Sequence, residues 1–395
     1  MKKILFLMDS LGAGGAEKSL ISLFHTLPPQ KYDISLLLIR ESGLFLSQLP
    51  PNIKLLSGIY PYQLLGISPK NIQLYLKHGI SFWAKKIIRY QKAKSNKSYS
   101  LPQMLWTLWK DDIPELPQHY DVAISYLEGI TNYYAIDKVK AKRKILWIHN
   151  EYEKLKYNKT FDSQYFQKAD KVITISDLCR KNLITNFPTI PAEKFHVLEN
   201  ITNAKMIKSL SNEKINDPLF ENSKGIKLLS IGRLAPQKGY DLALKAAYKL
   251  KEKGVAFSWF IIGEGPLRQE LEDLRSKLGL ENEVFFIGLR QNPYNYIKEA
   301  EIIIQSSLFE GKSIAIDEAK ILEKPIIATN YNTVSDLIQN DKTGIIVEMT
   351  PESLCEGIYK LINNPQMRKK LSDNLNKEKI DNTSEVNKYI SIIDN

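Results

Sequence analysis

The sequence has few cysteines and no long uncharged apolar run. Its 395 residues include two cysteines, Cys179 and Cys355, which lie far apart and lack the spacing of metal ligands. This usage argues against a disulfide framework and is typical of a reducing compartment. The first apolar run, Ile4 to Met8, ends at Asp9 and is too short for a signal peptide or a membrane span. We therefore expect a cytoplasmic protein in which this run forms a buried strand.

Acidic residues are absent from one long interval. No Asp or Glu occurs between Glu41 and Asp111, whereas ten Lys and Arg residues fall within that interval. The formal net charge of the whole chain is +11, and an excess of this size favours a polyanionic partner.

The same interval interleaves aromatic and basic side chains. The candidate contacts with a membrane or an acceptor are Trp83, Lys85, Lys86, Arg89, Trp106 and Trp109. Such a mixture is typical of a helix on an anionic membrane surface, and it predicts peripheral association with the inner face of the cell membrane. The alternative is a helix packed on its own domain with a solvated basic face. We expect no nucleic-acid partner, because no recognised binding module for nucleic acid occurs.

The length and the strand pattern predict two α/β domains. Short apolar runs alternate with helical patterns in both halves, which favours parallel sheets with covered faces. A polar stretch at 210–225 interrupts the alternation, as a linker does. We expect an N-terminal domain at 1–208 with a basic aromatic insertion at about 59–117, a C-terminal domain at 209–380, and a helix at 381–395 that returns to the first domain. Ligands of such sheets bind beyond the carboxyl ends of the strands, so the natural site is a cleft between the domains.

Two glycine-containing loops follow predicted strands. In GRLAPQKG (232–239), Arg233 and Lys238 supply a planar guanidinium and an ammonium, a pair that suits a diphosphate; the alternative is two exposed charges. This loop lacks the spacing of a P-loop. In LGAGGAEKS (11–19), glycines let the backbone approach a phosphate or a sugar, although a simple tight turn explains them equally well.

Two further candidates also fall at strand ends. In FEGKSIAIDEA (309–319), Glu310 follows a buried strand, Ser313 precedes a helix and Glu318 lies on that helix. Free N–H groups at a helix start attract phosphate oxygens, but two glutamates alone are better explained by a solvated surface. In WIHN (147–150), His149 is either a substrate contact or a satisfied structural residue.

Taken together, these motifs resemble the retaining nucleotide-sugar glycosyltransferases of family 4, which have the GT-B fold of two facing Rossmann-like domains. The resemblance rests on GGAEKSL, WIHN, VITISDLCRKNL, VLENITN, IGRLAPQKGYDLAL, IIGEGPLRQEL, FEGKSIAIDEA and KTGIIV, in that order. It implies that Arg233 and Lys238 bind the donor diphosphate and that Glu310 contacts the donor sugar. It also implies that His149 lies near the reacting face of that sugar.

The resemblance assigns further roles to the remaining motif residues. It implies a diphosphate site completed by the loop residues Gly14 and Gly15 and by the backbone of Ser313 and Ile314. Glu318 would contact the ribose, and Phe286, Ile287 and Leu289 would lie beside the base. The sequence departs from many relatives at Ser313, where they have Gly or Pro.

The implied reaction is transfer of a hexosyl or N-acetylhexosaminyl group from a UDP-sugar to a lipid-linked or other glycan acceptor in bacterial surface polysaccharide biosynthesis. The nucleotide sugar is a co-substrate, and we expect no cofactor. No D-x-D triplet occurs, so we also expect no essential metal. The alternatives are transfer to a protein acceptor, a non-catalytic GT-B subunit, and a sugar-nucleotide epimerase, which would have no use for the basic aromatic segment.

Overall fold

The chain folds into two units, each built on its own sheet. The computed structural model describes residues 1–12, 14–56, 58, 99–310, 313–378 and 382–395. The first unit comprises residues 1–201 and 384–395, and the second comprises residues 202–383. The division therefore comes at 201/202, a few residues before the boundary at 208/209 that the sequence suggested.

The first unit contains a seven-stranded parallel sheet. Its strands are β1 (Lys2–Met8), β2 (Tyr32–Leu38), β3 (Lys54–Leu56), β4 (His119–Ser125), β5 (Lys140–Ile148), β6 (Lys171–Thr174) and β7 (Phe195–Val197). The order across the sheet is β3-β2-β1-β4-β5-β6-β7. Its first six helices are α1 (Gly15–Thr26), α2 (Leu101–Trp109), α3 (Ile130–Lys138), α4 (Tyr152–Leu155), α5 (Lys159–Lys168) and α6 (Asp177–Asn186).

The second unit contains a six-stranded parallel sheet. Its strands are β8 (Ile226–Ile231), β9 (Phe257–Ile262), β10 (Val284–Gly288), β11 (Ile302–Gln305), β12 (Ile326–Thr329) and β13 (Ile345–Val347), in the order β10-β9-β8-β11-β12-β13. Its helices are α7 (Ala204–Ser211), α8 (Pro218–Glu221), α9 (Tyr240–Glu252), α10 (Arg268–Lys277), α11 (Tyr294–Glu299), α12 (Ile314–Ile321), α13 (Pro351–Ile362) and α14 (Pro365–Glu378). The two units are thus Rossmann-like domains, which confirms the expected α/β fold class.

The apolar runs of the sequence form the centres of both sheets. In β1 the run from Ile4 to Met8 is fully buried, and Ile4 lies opposite Ile34 of β2 and Val122 of β4. Continuous burial along a strand, without alternation, is expected of a parallel sheet covered on both faces. The first apolar run is therefore a core strand, as its length predicted.

The last helix, α15 (Val386–Asp394), packs on the first unit. The carboxylate of Asp394 lies 2.5 Å from Nζ of Lys31 and 3.3 Å from Nζ of Lys2. The Tyr389 hydroxyl donates to the carbonyl of Glu199 over 2.8 Å, and its ring stacks on Trp147 with centroids 5.4 Å apart. A buried aromatic stack together with ion pairs thus fixes the C-terminal segment to the first sheet.

Candidate active site

Two loops of the second unit are joined at the carboxyl ends of neighbouring strands. The loop after β8 contains a short 3-10 turn, Pro236–Lys238, and the loop after β11 leads toward α12. The Ser306 hydroxyl donates to the carbonyl of Lys238 over 2.8 Å, and the N–H of Leu308 donates to the carbonyl of Gln237 over 2.8 Å. These bonds hold the predicted diphosphate loop against the predicted sugar loop.

Gly239 makes this close approach possible. Its φ is +60°, a left-handed conformation that side-chain-bearing residues rarely adopt. A Cβ at this position would lie 2.2 Å from the carbonyl oxygen of Ser306, well inside van der Waals contact. The glycine that ends GRLAPQKG is therefore required both by its backbone angle and by the neighbouring loop.

The Glu310 carboxylate lies at the centre of the joined loops. Its Oε1 accepts from Nζ of Lys238 at 2.5 Å, from the Ser307 hydroxyl at 2.7 Å and from Nε2 of Gln305 at 3.0 Å. Its Oε2 accepts from Nε2 of Gln237 at 3.1 Å. The side chain is only 7% exposed. Four donors therefore fix the direction in which this carboxylate points.

The two oxygens of Glu310 differ in remaining capacity. An ionised carboxylate offers about two acceptor positions on each oxygen. Three donors already crowd Oε1, whereas Oε2 has a single donor among the described residues. Oε2 is therefore the atom that can accept a hydrogen bond from a ligand hydroxyl.

The Arg233 guanidinium is a second cation of the same loop. The Arg233 side chain is exposed and makes no hydrogen bond or ion pair with the described part of the chain. Lys238 is 20% exposed and has three N–H donors, so it can hold Glu310 and still donate to an anion. An unpaired planar guanidinium and an ammonium on the same loop suit the charge and shape of a diphosphate.

The start of α12 lies next to this cluster. Ser313 is buried and its hydroxyl donates to Oε1 of Gln305 over 2.7 Å, so its side chain does not cap the helix. The amide of Gln305 thus links the helix start to Glu310. The first N–H groups from Ile314 onward have no side-chain cap and remain suited to an anion.

Glu318, the predicted ribose contact, is held away from solvent. It is 1% exposed on α12 and shares a hydrogen bond with the hydroxyl of Tyr294. Burial and the Glu318 carboxylate raise the pKa of Tyr294 well above its usual value. The structure does not bring Glu318 into the hydrogen-bond cluster of Glu310, and its contact with a ribose stays a prediction.

The predicted base-binding residues lie at the end of β10. Phe286 and Ile287 are buried, whereas Leu289 is 43% exposed. Nη2 of Arg268 donates to the carbonyl of Phe286 over 3.1 Å, and the guanidinium lies 5.4 Å from the centre of the Phe286 ring. Of these three residues, Leu289 offers the accessible side chain, and base binding remains a prediction.

His149 lies at the carboxyl end of β5 in the first unit. The residue is 9% exposed, and its Nε2 lies 2.9 Å from the carbonyl oxygen of Tyr126. Because a carbonyl only accepts, Nε2 carries the proton, and Nδ1 of the neutral ring is an acceptor. Burial lowers the pKa of His149 below its usual value, although the Glu128 carboxylate acts in the opposite direction. The neutral imidazole therefore has one acceptor atom, Nδ1, which is buried and has no hydrogen-bond partner among the described residues.

The glycine-rich loop of the first unit has a carboxylate beside it. A Cβ at Gly14 would lie 2.2 Å from Oε2 of Glu17, so the Glu17 side chain covers that glycine. Gly15 is exposed at the start of α1. A diphosphate at Gly14 would require the Glu17 side chain to adopt another rotamer. Diphosphate binding by this loop stays a prediction.

The predicted membrane contacts at Trp106 and Trp109 are wrong. Trp106 is 0% exposed, and its Nε1 donates to Asp137 and to the hydroxyl of Tyr165. Trp109 is 4% exposed in the same core. The two rings lie on α2, whose apolar face packs inward, so neither can reach a membrane or an acceptor.

The remaining predicted membrane contacts cannot be placed. Trp83, Lys85, Lys86 and Arg89 lie outside the described residues. No described helix combines the length and the apolar composition needed to cross a bilayer.

Residues 211–378 match the family model for glycosyl transferases group 1. The matched segment lies within the second unit, which therefore contains a domain similar to the glycosyl transferases of group 1. This domain carries Arg233, Lys238, Glu310 and Ser313, and the match confirms the resemblance that the motifs indicated.

Curated relatives align with part of the chain. It is 28% identical over 216 residues to the alpha-D-kanosaminyltransferase of Streptomyces kanamyceticus, covering 53% of this chain and 55% of the relative. It is 27% identical over 227 residues to the N-acetylgalactosamine-N,N'-diacetylbacillosaminyl-diphospho-undecaprenol 4-alpha-N-acetylgalactosaminyltransferase of Campylobacter jejuni, covering 57% of this chain and 59% of the relative. The matched part spans little more than half the length of these relatives.

A solved structure resembles the chain over its whole length. The Anabaena protein HepE, in complex with UDP and glucose, gives a TM-score of 0.68 at 17% identity and covers 99% of this chain and 98% of its own. This likeness, which extends over both units, confirms the GT-B fold.

Several residues that build the site of the glycosyltransferase domain were missed from sequence. Gln237, Gln305 and Ser307 orient Glu310, and Thr333 donates to its carbonyl over 3.0 Å. A signal was present at Gln305, because this amide ends an otherwise apolar strand, EIIIQ. Gln237 and Thr333 gave no signal, since polar residues in loops are common.

Proposed function

We propose that this protein is a retaining glycosyltransferase that moves a hexosyl or N-acetylhexosaminyl group from a UDP-sugar to a lipid-linked glycan acceptor in bacterial surface polysaccharide biosynthesis. The observation that carries the proposal is the Lys238–Glu310 pair beside the unpaired Arg233 in a group 1 glycosyltransferase domain. Two cations suit the diphosphate of the donor. A nearly buried carboxylate with one free acceptor position suits a hydroxyl group of the sugar.

Two similarities support the choice of donor and acceptor. HepE was solved with UDP and glucose, and the relative from Campylobacter jejuni is described as acting on a diphospho-undecaprenol. The long acid-free interval of the sequence adds a reason to expect an anionic membrane surface near the acceptor. We therefore place the reaction at the cytoplasmic face of the cell membrane, with the protein bound peripherally.

The proposed chemistry is transfer on one face of the sugar. The bond between the acceptor oxygen and the anomeric carbon forms as the bond to the diphosphate oxygen breaks. The acceptor proton passes to the departing diphosphate, whose growing charge Arg233 and Lys238 stabilise. Glu310 is bound by four donors and acts by positioning the sugar rather than by attacking it. Transfer proceeds without an essential metal, which EDTA treatment would test.

A binding screen across nucleotide sugars, followed by an assay of UDP release and transfer with the best binder, tests the proposal. We expect one UDP-sugar to bind and to be turned over, with the anomeric configuration kept in the product. Binding without turnover would favour a non-catalytic subunit, and conversion of the donor to an epimer would favour an epimerase. If no nucleotide sugar binds, the proposal is wrong.

A further inference from the structure

Each unit carries a Glu–Gly pair in the loop after one of its strands. Glu128–Gly129 follows β4 and precedes α3, and Glu310–Gly311 follows β11 and precedes α12. Gly129 has a φ of +88°, which favours glycine at this turn. The first pair was not recognised from sequence, although the repeated Leu-Glu-Gly and Phe-Glu-Gly patterns were a usable signal.

The two strands hold the same place in their sheets. In the first sheet β1 lies between β2 and β4, and in the second β8 lies between β9 and β11. Apart from the additional strand β7 at the edge of the first sheet, the order across the two sheets is the same, so β4 is the counterpart of β11. The chain reverses its direction of progress across the sheet at these strands, and ligands of open α/β sheets bind at such points. Glu128 therefore lies in the loop of the first unit that corresponds to the Glu310 loop of the second, three residues after β4 where Glu310 is five residues after β11.

Glu128 is held in place by the residues that follow β5. Its Oε2 accepts from the backbone N–H of His149 over 2.9 Å, and its Oε1 accepts from the side-chain amide of Asn150. The ring of His149, fixed through Nε2 to the carbonyl of Tyr126, presents Nδ1 as an acceptor that has no partner among the described residues. His149 is also more than nine-tenths buried. A carboxylate and an unpartnered ring nitrogen thus belong to one connected group.

Other carboxyl groups lie near this group. Burial raises the pKa of the Glu17 carboxyl, and the neighbouring carboxylates of Asp9 and Glu128 act in the same direction. A carboxylate and a neutral imidazole nitrogen accept hydrogen bonds but donate none. The matching ligand brings donors, as the hydroxyl groups of a sugar do, whereas phosphate oxygens meet other acceptors and like charge.

We propose that Glu128 and Nδ1 of His149 form a hydroxyl-binding site of the first unit, and that Glu128 determines specificity by binding hydroxyl groups of the acceptor sugar. This assignment rests on the proposed glycosyltransferase function. Glu310 is proposed to hold the donor sugar, and Glu128, its counterpart in the first unit, is assigned to the acceptor sugar. The chemical class of the ligand is a neutral polyhydroxyl glycoside, and the interaction is non-covalent.

Saturation-transfer NMR with methyl glycosides of glucose, galactose and N-acetylglucosamine tests the site directly on the full chain. Glu128→Gln removes the charge but keeps the shape and one acceptor oxygen. We expect at least one glycoside to bind the native protein and its affinity to fall about tenfold or more in Glu128→Gln, as for loss of a hydrogen bond to a charged group. UDP affinity should stay within about twofold, because Arg233 and Lys238 belong to the second unit.

Three other outcomes would overturn the assignment. Glu128 is not a hydroxyl ligand if no methyl glycoside binds the native protein, or if Glu128→Gln binds the glycoside as tightly as the native protein. A loss of UDP affinity in Glu128→Gln would place the residue in the donor site instead. If Glu128→Gln does not fold, His149→Phe removes Nδ1 while keeping a ring beside Trp147, and the same readout applies. Glycoside binding is measured without the donor, so it is independent of UDP binding. If the native protein does not bind UDP, the proposed function is contradicted, whatever the result with glycosides.

Discussion

Nζ of Lys238 lies 2.5 Å from Oε1 of Glu310, across two loops that follow neighbouring strands of the glycosyltransferase domain. Both side chains are largely removed from solvent, so water and salt screen the pair less than a surface ion pair. The ammonium that is proposed to stabilise the leaving diphosphate therefore also orients the carboxylate proposed to hold the sugar. A change at Lys238 should disturb both ends of the donor at once.

Substitution Lys238→Ala should lower the rate of donor turnover by about 10²–10³-fold, the usual effect of removing one preorganised electrostatic contact. UDP release at saturating donor measures the effect. The matched control is Lys245→Ala on α9, because Lys245 is exposed and, among the described residues, pairs with Asp241 alone in the adjacent helical turn. Equal turnover by Lys238→Ala and Lys245→Ala would contradict the diphosphate assignment.

Substitution Arg233→Ala should weaken UDP binding at least about tenfold, because charge-assisted hydrogen bonds to phosphate are lost. The thermal midpoint should not change, since Arg233 is exposed and has no partner among the described residues. Arg233→Lys should recover affinity only in part, because an ammonium cannot make the bidentate contact of a guanidinium. Calorimetric titration with UDP compares the native protein, Arg233→Ala and Arg233→Lys. Native affinity for UDP in Arg233→Ala would refute the role of Arg233 in binding the diphosphate.

The fold was accessible from sequence because its signals are repeated and local. Ile4 to Met8 and the other apolar runs alternate with helical patterns often enough to define parallel sheets. Arg233, Lys238 and Glu310 could be named because each lies close to a strand end in a recognisable motif. The loops that carry these residues meet because β8 pairs with β11. Local sequence does not encode that pairing.

The wrong and the missing sequence predictions have a different physical origin. Trp106 and Trp109 fall in an acid-free interval, and composition cannot tell a ring that faces a membrane from one that faces a core. The buried Nε1 of Trp106 finds partners in Asp137 and Tyr165, which lie about 30 and 60 residues further along the chain, a non-local arrangement. Glu128 was passed over because a single glutamate after a strand has no distinctive pattern until the two sheets are compared.

Substitution Gly239→Ala should destabilise the protein more than Gly254→Ala. Both glycines have left-handed φ angles, +60° and +70°, so both variants carry backbone strain of about 1 kcal/mol or more. Only at Gly239 would the new Cβ also meet a carbonyl oxygen, whereas nothing lies within 4 Å at Gly254. Urea unfolding of both variants gives the difference. Equal free energies of unfolding would show that the Ser306 contact imposes no constraint.

Charge reversal of Lys85, Lys86 and Arg89 to Glu should release the protein from vesicles that contain anionic lipid. Each basic residue near such a surface contributes roughly 1 kcal/mol, so the loss should exceed tenfold in binding. The control is charge reversal of Lys369, Lys370 and Lys377, which are exposed on α14 and change the net charge equally. If both triple variants lose binding to the same extent, net charge rather than the basic aromatic segment attracts the membrane.

Stability should fall below neutral pH partly because of His149. Its folded-state pKa lies below the usual value through burial, so the unfolded chain binds a proton at a pH where the folded chain does not. Stability therefore declines as pH drops through the unfolded value of about 6.5 and continues to decline toward the folded value. His149→Gln should show a shallower loss of unfolding free energy between about pH 7 and pH 5, measured by urea titration. A pH profile of His149→Gln that runs parallel to that of the native protein would exclude this contribution.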